Sequence, residues 1–265
     1  MTDALHKLPT LSLRSLAASL REGPLSSGIT RYTLQQIAGA QAAELKTCLE
    51  ELQQNGMTPT QIALLVEAVA KARENNPVPA SLFDLVLSGP DVPGIPTADT
   101  AAVVHTLIEQ ATSEVLLVSY AIHQGQRLFE RLAAKVNESP SLRVAFFLDI
   151  PRKYTDSSLP NEIVRRFGKE FKEKHWPWQP LPEVFYDPRS LSEEWEQRSS
   201  LHAKCVIVDR RIALVTSANL TEAARHRNIE AGVIVRYQPF VERLVGYFEG
   251  LRATGQLVAC LFEDR

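Results

Sequence analysis

His202 and Lys204 stand two residues apart, just ahead of the β-branched run Val206-Ile207-Val208. Such a run reads as a strand, whose side chains repeat every two residues, so imidazole and ammonium share one face while Ala203 and Cys205 take the other. Ser217, Asn219 and Glu230 follow. An imidazole is neutral near pH 7 and can attack an electrophile or carry a proton. A neighbouring ammonium can hold an anionic oxygen and take up charge in the transition state. Hydroxyl and amide can donate to further oxygens, and a carboxylate can fix the imidazole tautomer as the acid of a hydrolytic triad does. This set suits attack at phosphorus in an anionic diester, because the attacker is itself uncharged. The plainer alternative is a buried histidine on an ordinary strand, with Lys204 as an edge charge.

Several elements must position these groups. Asp209-Arg210-Arg211 is a polar break that fits a hairpin turn, and the apolar residues 212–215 return from it to end on Thr216-Ser217-Ala218-Asn219. A third run, 231–235, begins just past Asn228-Ile229-Glu230. Upstream, 114–120 and 142–149 are near-continuous apolar runs, the pattern of strands buried on both faces. With an amphipathic helix at 126–136 between them, they imply a right-handed crossover joining parallel strands. Residues 99–111 (with Thr97 or Asp99 as cap), 161–175 and 240–251 read as helices, and 257–262 as a last strand. Residues 1–87 read as all-helical, broken near Gly23-Pro24, Gly39 and Asn55-Gly56, with Thr58 capping a helix that starts at Pro59. The stretch 88–98, rich in proline and glycine, reads as a linker or lid.

The spacing resembles the HKD motif of the phospholipase D superfamily: His-x-Lys, four residues, Asp, six residues, Gly-Ser-x-Asn, and a later Asn-x-Glu. His202, Lys204, Asp209, Ser217, Asn219 and Glu230 fall at those positions, while Thr216 stands where the family usually has glycine and sets a branched side chain near the phosphate pocket. The likeness covers roughly 98–265. It implies an α/β fold: a phospholipase D-type mixed sheet flanked by helices, preceded by a small all-helical N-terminal domain. The domains would be 1–87, a Pro/Gly linker at 88–98, and a catalytic domain at 99–265. It also implies a metal-independent phosphodiesterase with no cofactor, in which His202 forms a phosphohistidine and Lys204 and Asn219 take up charge.

There is one His-x-Lys and no second copy of the pattern. Single-motif members act as homodimers, so a second His202 would protonate the leaving oxygen; His123, His175 and His226 are the alternatives within one chain. The short domain and Asn228-x-Glu230 resemble the nuclease members, making DNA the expected partner. Arg225 and Arg227, between Asn219 and Glu230, are candidates for gripping its backbone. The whole-chain layout, a helical region, then LVLSGPDVPGIP, then a single-motif domain, resembles the phospholipase D-like proteins of DISARM anti-phage systems. That implies partner proteins of a defence complex, met through residues 1–87.

Composition bounds these readings. With 45% apolar and 23% charged residues over 265 positions, the chain has the core of one large or two modest globular domains. A net charge of −2 argues against a broadly basic nucleic-acid coat and leaves phosphate binding to a local patch. Seven Lys/Arg against four acids lie between Arg152 and Lys174, either a solvated face or a phosphate-tracking surface. Trp176, Trp178 and Tyr186 beside them could stack bases or plug a hydrophobic corner. Cys48, Cys205 and Cys260 read as buried free thiols of a reducing compartment, and with no signal pattern or membrane-length apolar run the expectation is a cytoplasmic protein without membrane contact. A phospholipid hydrolase and a non-catalytic module that binds DNA or a protein remain as alternatives to the nuclease.

Overall fold

The computed structural model describes residues 3–74, 79–90, 93–95, 98–221 and 228–262. The chain divides into two units, 1–78 and 79–265. In the first, α1 (Asp3–Lys7), α2 (Thr10–Glu22), α3 (Arg31–Ala38), α4 (Ala42–Gln54) and α5 (Pro59–Glu74) bury Leu5, Leu16, Leu20, Leu34, Leu49 and Ile62 among themselves. Gly39 separates α3 from α4 at φ +54°, a conformation that glycine adopts without a Cβ clash. Thr58 caps α5 reciprocally: its Oγ1 accepts from the Gln61 N–H at 3.3 Å, and Gln61 Oε1 accepts from the Thr58 N–H at 2.9 Å.

The second unit runs β1 (Phe83–Ser88), α6 (Thr100–Gln110), β2 (Glu114–Ser119), β3 (Ile122–His123), α7 (Gly125–Glu138), β4 (Arg143–Leu148), α8 (Pro160–Glu170), β5 (Glu183–Tyr186), β6 (Cys205–Val208), β7 (Ile212–Thr216), β8 (Leu220–Thr221), β9 (Glu230–Val235), α9 (Gln238–Ala253) and β10 (Val258–Ala259). Eight of these strands form one mixed sheet in the order β1-β9-β7-β6-β2-β4-β5-β10. The expected crossover is present: β2 and β4 are parallel, joined through α7. Alternate residues of β2 serve two cores. Val115 and Leu117 pack on one face with Leu107, Leu132 and Phe146, while Leu116 and Val118 pack on the other with Val241, Val245 and Phe248. Both faces are covered, which is why the strand carries no polar position between Glu114 and Ser119.

Three expectations need correcting. Residues 83–88, expected in the helical region, form an edge strand antiparallel to β9, with Ser88 opposite Glu230, so the unit boundary falls at 78/79 and not after 87. The two ends of the stretch 88–98 are tied to each other, the Ala98 N–H donating to the Leu87 carbonyl at 2.7 Å and Ser88 Oγ to the Ala98 carbonyl at 2.8 Å, which leaves its reading as a linker or lid standing. The helix expected over 161–175 is α-helical only to Glu170 and closes in a π-turn, Phe171–His175, and the last strand shrinks to Val258–Ala259. Among the described residues, no helix is long and apolar enough to cross a membrane, and the three cysteines are buried free thiols.

Candidate active site

The hairpin β6–β7 organises the site. Asp209 and Arg210 both adopt positive φ, 51° and 55°, the geometry of a tight two-residue turn whose twist matches the strands. His202 and Lys204 lie at the far end of β6, in the extended segment just before it rather than on the strand itself. The ladder nonetheless reaches Lys204, whose carbonyl accepts from the Thr216 N–H at 3.1 Å. His202 is exposed, whereas Lys204 is only 8% exposed. The ammonium Nζ lies 3.4 Å from His202 Nδ1 and donates to the His202 carbonyl at 2.8 Å. Burial holds the Lys204 pKa below its ordinary value, and the nearby Glu230 carboxylate offsets this only in part.

Ser217 and Glu230 meet directly: Ser217 Oγ donates to one carboxylate oxygen, and Asn228 Nδ2 donates to the other at 3.2 Å. Ser217 Oγ also accepts from the Ala231 N–H at 3.1 Å, so this hydroxyl is engaged with β9. Among the described residues no hydrogen bond joins Glu230 to His202, and its carboxylate faces Lys204 electrostatically instead. Asn219 is half-buried, and its Oδ1 is buried with no partner among the described residues. Thr216 pairs across the ladder with Gly232, where a Cβ would stand only 3.0 Å from the Thr216 side chain. The absent side chain at 232 thus makes room for the branched one at 216, whose Oγ1 accepts from the Ala218 N–H at 3.1 Å and shapes the turn towards Asn219.

Asp209 sits at the opposite end of β6. Its carboxylate accepts from the N–H groups of Thr112, Ser113 and Glu114 and from both hydroxyls of Thr112 and Ser113, at 2.7–2.9 Å. Desolvation alone would raise its pKa, but these bonds outweigh it and hold the carboxyl at about 2. Arg225, Arg227 and His226 lie outside the described residues. Three of the seven cations in the basic stretch from Arg152 to Lys174 are seen in ion pairs: Arg166 with Asp156, Lys174 with Glu170 at 2.9 Å, Lys169 with Glu173 at 4.0 Å. Trp176 is 1% exposed and packs on Phe129 and Phe146, a plug rather than a stacking platform.

Two neighbours of the pair escaped pattern reading. The Tyr120 ring lies 5.1 Å from that of His202 and 5.5 Å from Lys204 Nζ. Asp149, 5% exposed, accepts from the Leu201 N–H at 2.8 Å and so anchors the segment carrying His202; its burial raises the carboxyl pKa, against that hydrogen bond. Both residues follow the last residues of β2 and β4. The carboxyl ends of parallel strands are where open α/β sheets place ligands, and that was the signal available in the sequence.

Residues 104–252 match the family described as cardiolipin synthase, PLD-like domain. The chain belongs to that phospholipase D-like family. This phospholipase D-like chain is also 29% identical over 160 residues to the DISARM protein DrmC of Bacillus paralicheniformis, a match covering 58% of this chain and 57% of the relative's length. Solved structures of similar fold include a phospholipase D family member, Nuc, from Salmonella typhimurium (16% identical, covering 68% of this chain and 98% of that one, TM-score 0.43). NucT from Helicobacter pylori is 13% identical, covering 67% and 99%, with a TM-score of 0.42.

Proposed function

We propose that this chain is a phosphodiesterase that cuts nucleic acid, DNA foremost, in bacterial defence against phage, through a phosphohistidine and without a metal. The observation that carries the reading is the pair itself: an exposed imidazole with a buried ammonium held 3.4 Å from its Nδ1. Nε2, the ring nitrogen not turned to Lys204, attacks in the tautomer that carries the imidazole proton on Nδ1. The Nε2–phosphorus bond forms as the bond to the leaving oxygen breaks, and that oxygen takes a proton from the His202 of a second copy. Water then attacks phosphorus, gives its proton to the second His202, and displaces the first. Lys204 and Asn219 hold the non-bridging oxygens, where preorganised donors act most strongly. Glu230 keeps the ammonium charged, and Ser217 fixes Glu230. Arg225 and Arg227 grip the flanking backbone. The likeness to the DISARM protein supports the defence role, with the N-terminal helical unit meeting other proteins of that system.

The test is cleavage of single- and double-stranded DNA by the purified chain, with and without EDTA. Cleavage should persist in EDTA and vanish in His202→Ala. Activity that EDTA removes would overturn the phosphohistidine mechanism, and binding without cleavage would favour the non-catalytic module.

A further inference from the structure

We propose that the cavity beside His202 and Lys204 receives one unstacked nucleobase flanking the scissile phosphate, which makes single strands the substrate of this site. The proposal rests on the nuclease reading above and deepens it. The cavity, about 490 Å³, is lined by Tyr120, Ile122, Gln124, Asp149, Phe167 and His175, among others. That volume falls within the roughly 300–1,000 Å³ of ordinary small-ligand pockets. Two lining residues also belong to the catalytic pair's surroundings: Tyr120 packs on His202 and Lys204, and Asp149 anchors Leu201. A group bonded to a phosphate at His202 therefore has this cavity next to it.

The lining selects the kind of group. Tyr120 and Phe167 offer aromatic surface, with Ile122 and Leu148 beside them, which suits a flat ring that stacks. The Gln124 carboxamide is exposed, carries both donors and an acceptor, and has no hydrogen-bond partner among the described residues. Its backbone is held at φ +54°, a conformation that is costly for a residue with a Cβ and that concentrates at ligand sites. His175 Nδ1 is buried and unpartnered among the described residues. The charge argues against a second phosphate here: among the described lining residues the carboxylates are Asp149 and Glu170 and the one Lys or Arg is Lys174, which is already bonded to Glu170 at 2.9 Å. An acyl chain would leave these polar groups unpaired. A base within a duplex is stacked and paired, so it must leave the stack to enter.

The experiment compares two labelled single-stranded oligonucleotides of one sequence, one with baseless sugars flanking a single phosphate, together with the duplex form of the first. We expect kcat/KM at the intact site to exceed that at the baseless site by about fivefold or more, the low end for one base–aromatic stack, and single strands to be cut faster than duplex. Phe167→Ala and Gln124→Gly should each shrink the ratio; the glycine also relieves the positive φ, so that variant tests the amide in a chain that still folds. Equal rates at intact and baseless sites, faster cutting of duplex, or unchanged ratios in both variants would overturn the base pocket and leave the nuclease standing. No cleavage of any strand would overturn both.

Discussion

The two ends of β6 carry residues of one motif and are opposites in chemical state. At the Asp209 end every strong group is satisfied: the carboxylate accepts five hydrogen bonds of 2.7–2.9 Å from 112–114. Next to it, Arg210 bonds the buried Glu114 at 2.8 Å and also Glu249. At the His202 end an ammonium is buried against its solvation preference, an imidazole stands exposed, and Asn219 Oδ1 has no partner among the described residues. A buried polar group left unpaired costs stability, so such groups persist where something else, a ligand, completes them. Under the proposed chemistry, the difference separates the residues that hold the hairpin in register from those that would meet an anion. Spacing alone, which spans both ends, cannot make that separation.

The comparison breaks most visibly by mutating one end at a time. His202→Ala should lower DNA cleavage by roughly a thousandfold or more, the scale of losing a nucleophile, and leave the melting temperature almost unchanged because the ring is exposed. Asp209→Ala should do the reverse in kind, costing about 2–4 kcal/mol of stability by orphaning the N–H groups at the start of β2. The acid limb of stability tests the same end. The Asp209 carboxyl is held at about 2, below its ordinary 3.8, so its contribution is present above pH 4 and is lost as pH falls towards 2. Denaturant melts of wild type and Asp209→Asn across that window should converge at the acid end. Parallel curves would make Asp209 a bystander.

Much of this contrast was legible in the residues, and the rest was not, for physical reasons. Local periodicity carried β2, α7, β4 and the β6–β7 hairpin, because covered faces demand unbroken apolar runs and the turn demands a polar break. It could not carry β1, whose partner β9 lies near the other end of the chain. It placed His202 and Lys204 together but on the strand, whereas they sit just ahead of it. It set Glu230 against the imidazole, while the carboxylate bonds Ser217 and Asn228. Tyr120 and Asp149 reach the pair only through sheet order, which sequence spacing does not encode.

A smaller effect sharpens the His202 end. Lys204→Arg keeps the charge but swaps a compact ammonium for a wide planar fork in a site only 8% exposed. Cleavage should fall tenfold or more, the cost of losing one transition-state donor. Near-normal turnover in the purified variant would remove Lys204 from contact with the substrate and leave its burial without a catalytic reason.

The smallest expected effect decides whether the unsatisfied end is completed by substrate alone or by a second chain. The proposed chemistry needs a nucleophile and a separate acid, and one chain offers a single His-x-Lys. His175 is pushed by burial towards its neutral form, which makes it a poor proton donor near pH 7. A second His202 across a two-fold axis brings the same residue in the same setting. Wild type and His202→Ala chains, co-refolded in equal amounts and shown by sedimentation to pair and exchange, separate the cases. If the site needs both copies, about a quarter of the activity survives, since random pairing leaves about a quarter of dimers fully wild type. If each chain is self-contained, about half survives, because chains that share no partner act independently. A linear decline with mutant fraction, in proven mixed dimers, would return the search for the acid to His123, His175 and His226, and would make the His202 end complete within one chain, as the Asp209 end is.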